Sequence, residues 1–214
     1  MKVNKRVIIG TGTIAVIAII FRKKIAAVAA VIMLLFMAMV ARPEVCDDIS
    51  RYEEFRSGPN AAEEYRDKWE MDESIWPEKI TADMDVKDYK MVCYDPWDAQ
   101  YLGYLVVKYD DSHYAAEAQR LEQYNSTEYK GYYGVTGKKD YELLAIYADS
   151  YNGFVYAMAD KDNTIIYAEQ IFCNSFMDLD YEKYMPREYF LDGFDATEDN
   201  PIAAERRELV ESQK

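Results

Sequence analysis

The run from Ile25 to Ala41 constrains this chain more than any other stretch. Its 17 residues are apolar throughout and carry no charge. Arg22, Lys23 and Lys24 stand just before it, and Arg42 stands just after. A membrane span takes about 20 apolar residues, with a range of roughly 17 to 25. The run sits at the short end, and Lys24 and Arg42 can snorkel outward to extend it. A second apolar run, Val7 to Phe21, has 15 residues.

Three topologies compete. In the first, residues 25–41 alone span, as an uncleaved anchor. The six cations before Ile25 then stay in the cytoplasm and the rest of the chain lies outside, as the positive-inside rule prefers. In the second, both runs span as a hairpin and the soluble part is cytosolic. That choice puts Arg22-Lys23-Lys24 on the wrong side of two short spans. In the third, the run is a cleaved signal peptide. Cleavage after Ala41 or Ala38 would place Met39 or Phe36 where a small residue is wanted. The sequence favours the single anchor.

Charge separates the two parts of the chain. Six of the 25 cations and none of the 39 acids lie in residues 1–41, so the remainder carries 19 cations against 39 acids. A domain of net charge −20 is repelled by nucleic acid and by anionic lipid, which excludes a nucleic-acid partner. All 20 tyrosines lie after Ala41. With Trp69, Trp76 and Trp97 they supply the aromatic area of a folded core rather than a disordered tail.

Residues 42–75 read as a stalk with short helices. Ile49, Tyr52 and Phe55 are spaced for a helix face. Asn60 and Glu63 are placed as a capping box for a helix over 61–71, with Ala61, Ala62, Tyr65 and Trp69 as its apolar stripe. From Val86 the period becomes two. Residues 86–94 and 100–109 predict an antiparallel hairpin across the Asp95-Pro96-Trp97-Asp98 turn. Asp110-Asp111-Ser112 opens a helix to about Tyr124. Residues 141–148, 154–159 and 164–173 predict three more strands, with Asn152-Gly153 as a hairpin signal. Residues 178–195 read as irregular cover, broken by Met185-Pro186. Asn200-Pro201 is a cap followed by a first-turn proline, opening a terminal helix to about Val210.

The expected fold is therefore α+β: an N-terminal transmembrane anchor, then an antiparallel sheet of about five strands in the order β-β-α-β-β-β, with one packed helix and flanking helices. The expected divisions are a basic segment with a short apolar run (1–24), the span (25–41), a stalk with helices (42–75), the acidic α+β domain (76–195) and a polar C-terminal helix or tail (196–214).

Sites of chemistry are weakly marked. His113 is the chain's single histidine, so any histidine-based dyad must use it, with Cys93 or Cys173 as partner. Its place beside Asp110 and Asp111 reads instead as a helix cap. Cys46, Cys93 and Cys173 are too few and too widely spaced for a disulfide framework or a zinc site. Cys93 and Cys173 both fall in strand-like runs, so they can form one bridge or remain buried thiols. Asp160 with Asp162, and Asp178, Asp180 with Glu182, are acidic but lack calcium-loop spacing. Gly10-Thr11-Gly12-Thr13 lacks the strand and lysine of a phosphate loop. Asn125-Ser126-Thr127 fits a glycosylation acceptor. Tyrosines on both faces of a sheet can build a binding platform, though half-buried strand tyrosines account for them as well.

No catalytic, cofactor-binding or metal-ligating set emerges. The expectation is a single-pass protein of the cell membrane: a non-enzymatic extracytoplasmic binding or interaction domain, with the bilayer as partner through 25–41 and with 7–21 as a second candidate contact. An unknown protein or cell-envelope component is its other partner. The alternatives are an envelope enzyme using an Asp/Glu pair, and a cytosol-facing subunit of a membrane complex held by a two-helix hairpin.

Overall fold

Alternating side chains between turn residues build most of this domain. The structure is a computed structural model that describes residues 42–212 and, before them, residues 25, 28 and 30–33. Six strands form one antiparallel sheet: β1 (Glu44–Cys46), β2 (Asp85–Tyr94), β3 (Gln100–Lys108), β4 (Glu142–Asp149), β5 (Gly153–Asp160) and β6 (Thr164–Ile171). Their spatial order is β1-β2-β3-β6-β5-β4. Two three-stranded meanders thus meet where β3 pairs with β6. The helix α1 (Asp111–Glu122) begins the passage from β3 to the far edge, and α2 (Pro201–Ser212) closes the chain.

The five expected strands are present within a residue or two, and so are the two later helices. The sixth strand, β1, is an addition. It is three residues long, and Glu44 and Val45 face water, so it shows no alternation to read. The turns follow from their residues. Asp149 accepts from the backbone N–H groups of Tyr151 and Asn152 through Oδ1, at 2.8 Å each. Gly153 follows at φ +103°, with so little room that an added Cβ would lie 2.1 Å from the Gln170 carbonyl oxygen.

Both faces of the sheet are buried, rather than one. The first face carries Tyr89, Met91, Leu105, Val107, Val155 and Tyr167 under Tyr52, Phe55, Tyr65, Trp76 and Leu121 of α1. The second carries Leu102, Val106, Tyr156, Met158 and Ile166 under Tyr133, Met185, Phe190 and Leu191. Central strands covered on both sides lose their alternation, and β5 and β6 are buried along nearly their whole length. Nine of the 20 tyrosines are buried, and Tyr151 is the exposed one among the described residues. The tyrosines are thus divided between core and half-buried positions, with Tyr151 alone exposed among the described residues.

Residues 61–71 depart most from expectation. In place of a helix there are two short 3-10 turns, Glu63–Tyr65 and Lys68–Glu70. Lys68, Trp69 and Glu70 all have left-handed backbone, with φ of 41°, 58° and 58°. The apolar stripe divides between two destinations: the Tyr65 ring packs on Phe55 and Tyr101, while Trp69 Nε1 donates to the Ala99 carbonyl at 2.7 Å. Asn60 donates to Glu53 instead of capping a helix.

Most of the expected span 25–41, and all of 7–21, lie outside the described residues. Residues 25, 28 and 30–33 are helical and exposed. Among the described residues no helix is long and apolar enough to cross a membrane.

Candidate functional site

Glu169 lies in β6, opposite Gly103 of β3 and Val155 of β5, and is fully buried. A lone carboxylate at such a position costs several kcal/mol. The chain surrounds it with charge. Lys68 Nζ stands 2.7 Å from Glu169 Oε1 and 2.6 Å from Glu73 Oε1. Arg56 Nη1 stands 2.6 Å from Glu73 Oε1 and 3.6 Å from Glu169 Oε2. Arg56 also donates through Nη2 to the Glu73 carbonyl, and the Ser57 N–H donates to Glu73 Oε2, each at 2.6 Å. Two cations and two acids thus close on one another inside the first core.

Local structure makes this possible. The left-handed turn at 68–70 aims Lys68 inward. Asp67 holds that turn, accepting the Glu70 N–H through both its carbonyl and Oδ1. The Arg56 guanidinium lies 4.8 Å from the Trp76 ring centre, and Lys68 Nζ lies 5.8 and 5.6 Å from the rings of Tyr65 and Tyr101. Gly103 leaves the space above β6, since a Cβ there would meet Met91 Sδ at 2.3 Å and Glu169 Cγ at 3.4 Å. Two atoms of the cluster, Glu169 Oε2 and Arg56 Nε, have no hydrogen-bond partner.

Burial pushes the Glu169 carboxyl above the usual carboxylate range, against the pull of Lys68 and with the Glu73 charge adding to the rise. Burial raises Glu73 too, but Lys68 and Arg56 together outweigh it and hold Glu73 low. The two acids differ because Glu73 has both cations within 2.6 Å, while Glu169 has Lys68 close and Arg56 a further ångström away.

Arg56 and Glu73 also reach an open cleft of about 770 Å³ between residues 71–84 and α1, lined as well by Trp76, Lys79, Glu117 and Arg120. Arg120 closes one wall. It donates to the carbonyls of Ser74 and Ile75 at 2.9 and 2.7 Å and pairs with Glu117 at 2.7 Å. Glu117 in turn accepts from the buried Tyr167 hydroxyl at 2.6 Å. The cleft can take a polar ligand carrying both signs of charge. Within the cluster, Lys68 stands between the buried Glu73 and Glu169, so these two acids do not face each other across an opening as acid/base hydrolysis needs.

The residues singled out by sequence are scattered. His113 Nδ1 lies 2.7 Å from Asp110 Oδ2 at the exposed start of α1, a contact that raises its pKa. Its Nε2 is 3.9 Å from Asp83. Asp83 precedes the start of β2 and Cys93 is next to its last residue, on the order of 25 Å apart along the strand, so His113 and Cys93 form no dyad. Cys46, Cys93 and Cys173 are free thiols, the first two buried. Asp160 accepts from the Lys161 N–H, and Asp178 accepts from Gln100. Among the described residues no group of three His, Cys, Asp or Glu is placed to hold a metal ion. Ser126 and Thr127 receive the backbone N–H groups of Ile146 and Ala148 at the outer edge of β4. Residues 10–13 lie outside the described residues. The chain matches no protein-family model, no curated protein and no solved structure.

Sequence reasoning missed the charged cluster. Lys68 and Glu169 are 101 residues apart, and nothing local marks either. The one available signal was Glu169-Gln170, two polar residues inside an apolar strand.

Proposed function

We propose that residues 43–212 form a non-catalytic binding domain, tethered to a membrane by residues 25–41, with its N-terminus cytoplasmic and the domain on the extracytoplasmic side. The ligand-binding face is the cleft beside Arg56 and Glu73, and its occupant is a protein or cell-envelope component presenting both signs of charge. The observation that carries the binding reading is the fixed charge of Glu73: Lys68 and Arg56 both hold it and keep its carboxyl low, where it meets a cleft that also presents Arg120, Lys79 and Glu78. The uncharged run 25–41 and its flanking cations support the tether.

Two substitutions test this in intact cells. Ser212→Cys, in a Cys173→Ser background, places a thiol on the exposed end of α2. Modification by a membrane-impermeant reagent before lysis is the expected result. Modification only after lysis would refute the extracytoplasmic placement and favour the hairpin topology. A photo-crosslinking residue at Lys79, on the cleft, should give a discrete adduct that the same residue at exposed Lys161 does not. Identical products from both positions would refute the cleft as the binding face.

A further inference from the structure

The large hydrophobic side chains that the domain leaves exposed are Val45, Trp97, Tyr151, Leu209 and Val210. Strand register places the first three together. Glu44 pairs with Cys93, Tyr101 with Ile171, and Ile171 with Gly153. The start of β1, the β2–β3 turn, the end of β6 and the β4–β5 turn therefore lie at one end of the sheet. Val45, Trp97 and Tyr151 belong to that end. The helix α2 joins it, since Arg206 donates to the Cys173 carbonyl at 2.7 Å and lies 5.9 Å from the Tyr151 ring centre. Trp97, in the β2–β3 turn, is the most exposed of them at 82%.

The chain enters the domain at this same end. Only Arg42 and Pro43 separate Ala41, the last residue of the apolar run, from Glu44 of β1. At full extension the three steps from Ala41 to Glu44 reach about 10 Å. We propose that this end of the sheet docks on the bilayer interface, with the Trp97 indole seated at the headgroup level. The inference rests on the tether reading above and adds a contact to it. Tryptophan favours that layer because its ring is apolar and its N–H can stay hydrated. Asp95 and Asp98 flank Trp97, so the fitting surface is zwitterionic lipid, and anionic lipid weakens the contact.

The test uses the full chain reconstituted in phosphatidylcholine vesicles, with and without bromine on the acyl chains near the headgroups. Flotation reads the tether and quenching of tryptophan emission reads the docking. Trp76 is buried and Trp69 is half-buried, so the comparison with Trp97→Phe assigns the signal to Trp97. The expected result is flotation with a loss of roughly a third of the emission in brominated vesicles. That loss disappears in Trp97→Phe and shrinks as phosphatidylglycerol is added. Flotation with equal quenching in both proteins would overturn the docking and leave the tether standing. A chain that stays out of the floated fraction would overturn both. A Trp97 emission that shifts blue with rising protein-to-lipid ratio, without quenching, would put a second copy of the chain on this end and overturn the lipid assignment.

Discussion

Lys68→Met should be among the most damaging single substitutions in the domain. It removes the ammonium that touches both Glu73 and Glu169, at 2.6 and 2.7 Å. One guanidinium then serves two buried acids, and it stands 3.6 Å from Glu169. Removing one member of a buried ion cluster costs about 3 to 5 kcal/mol. For a domain of this size each kcal/mol moves Tm by about 2 to 4 °C, so the variant should melt roughly 6 to 20 °C lower. Denaturant unfolding followed by tryptophan emission reports the change well, because Trp76 lies against Arg56. The double variant Lys68→Met, Glu169→Met should recover much of the loss. It replaces an ion pair by apolar volume and leaves Glu73 with Arg56, and such exchanges are often neutral. A double-mutant cycle should then give a coupling of about 2 kcal/mol. A single-variant loss under about 1 kcal/mol, or a double variant as unstable as the sum of the singles, would refute the reasoning.

Glu169→Gln should flatten the pH dependence of stability on the alkaline side. Burial raises this carboxyl, so the folded state holds a proton that the unfolded state has released; that contribution is fully present below about pH 4 and is lost as the pH rises through neutrality. Glu73 acts in the opposite window, since its lowered pKa gives stability above the ordinary carboxylate range that acid removes, and Glu169→Gln should leave that limb in place in an unfolding series from pH 3 to 9. Gly103→Ala should cost about 1 to 3 kcal/mol because its Cβ meets Met91 Sδ at 2.3 Å; an unchanged denaturation midpoint would contradict this. Asn200→Ala should cost about 1 to 2 kcal/mol and speed amide exchange at Ile202 and Ala203, whose N–H groups Asn200 Oδ1 accepts at 3.0 Å. A thiol reagent at mildly alkaline pH should reach Cys173 slowly and Cys93 only on unfolding, since burial pushes Cys93 up to about 11 and shields it; rapid labelling of Cys93 in the native state would refute its placement.

What the sequence made legible was what short-range physics decides. Strands β2 to β6 were readable because turn residues bound them: Asp95 to Asp98, Asp149 to Gly153 and Asp160 to Asn163 each end a run of strand formers. The caps at Asp110 and Asn200 were readable for the same reason, since a side chain that accepts N–H groups two and three residues on depends on nothing distant. The helix expected over 61–71 failed where that independence ends. Its stripe and capping residues have the right local pattern, but Lys68 is drawn inward by Glu169, 101 residues later, and a right-handed helix here could not aim both Lys68 and Trp69 at their partners. Charge composition misled in a related way. An acidic chain suggests that its acids face water, yet Glu73 and Glu169 are buried, with Lys68 between them and Arg56 on Glu73. In a core of apolar and aromatic side chains that could pack in more than one register, such a cluster admits one register only. Sliding β6 by a single residue would turn Glu169 into the second core, where Tyr156 and Met185 contact Gln170 and where none of the cluster's cations lies.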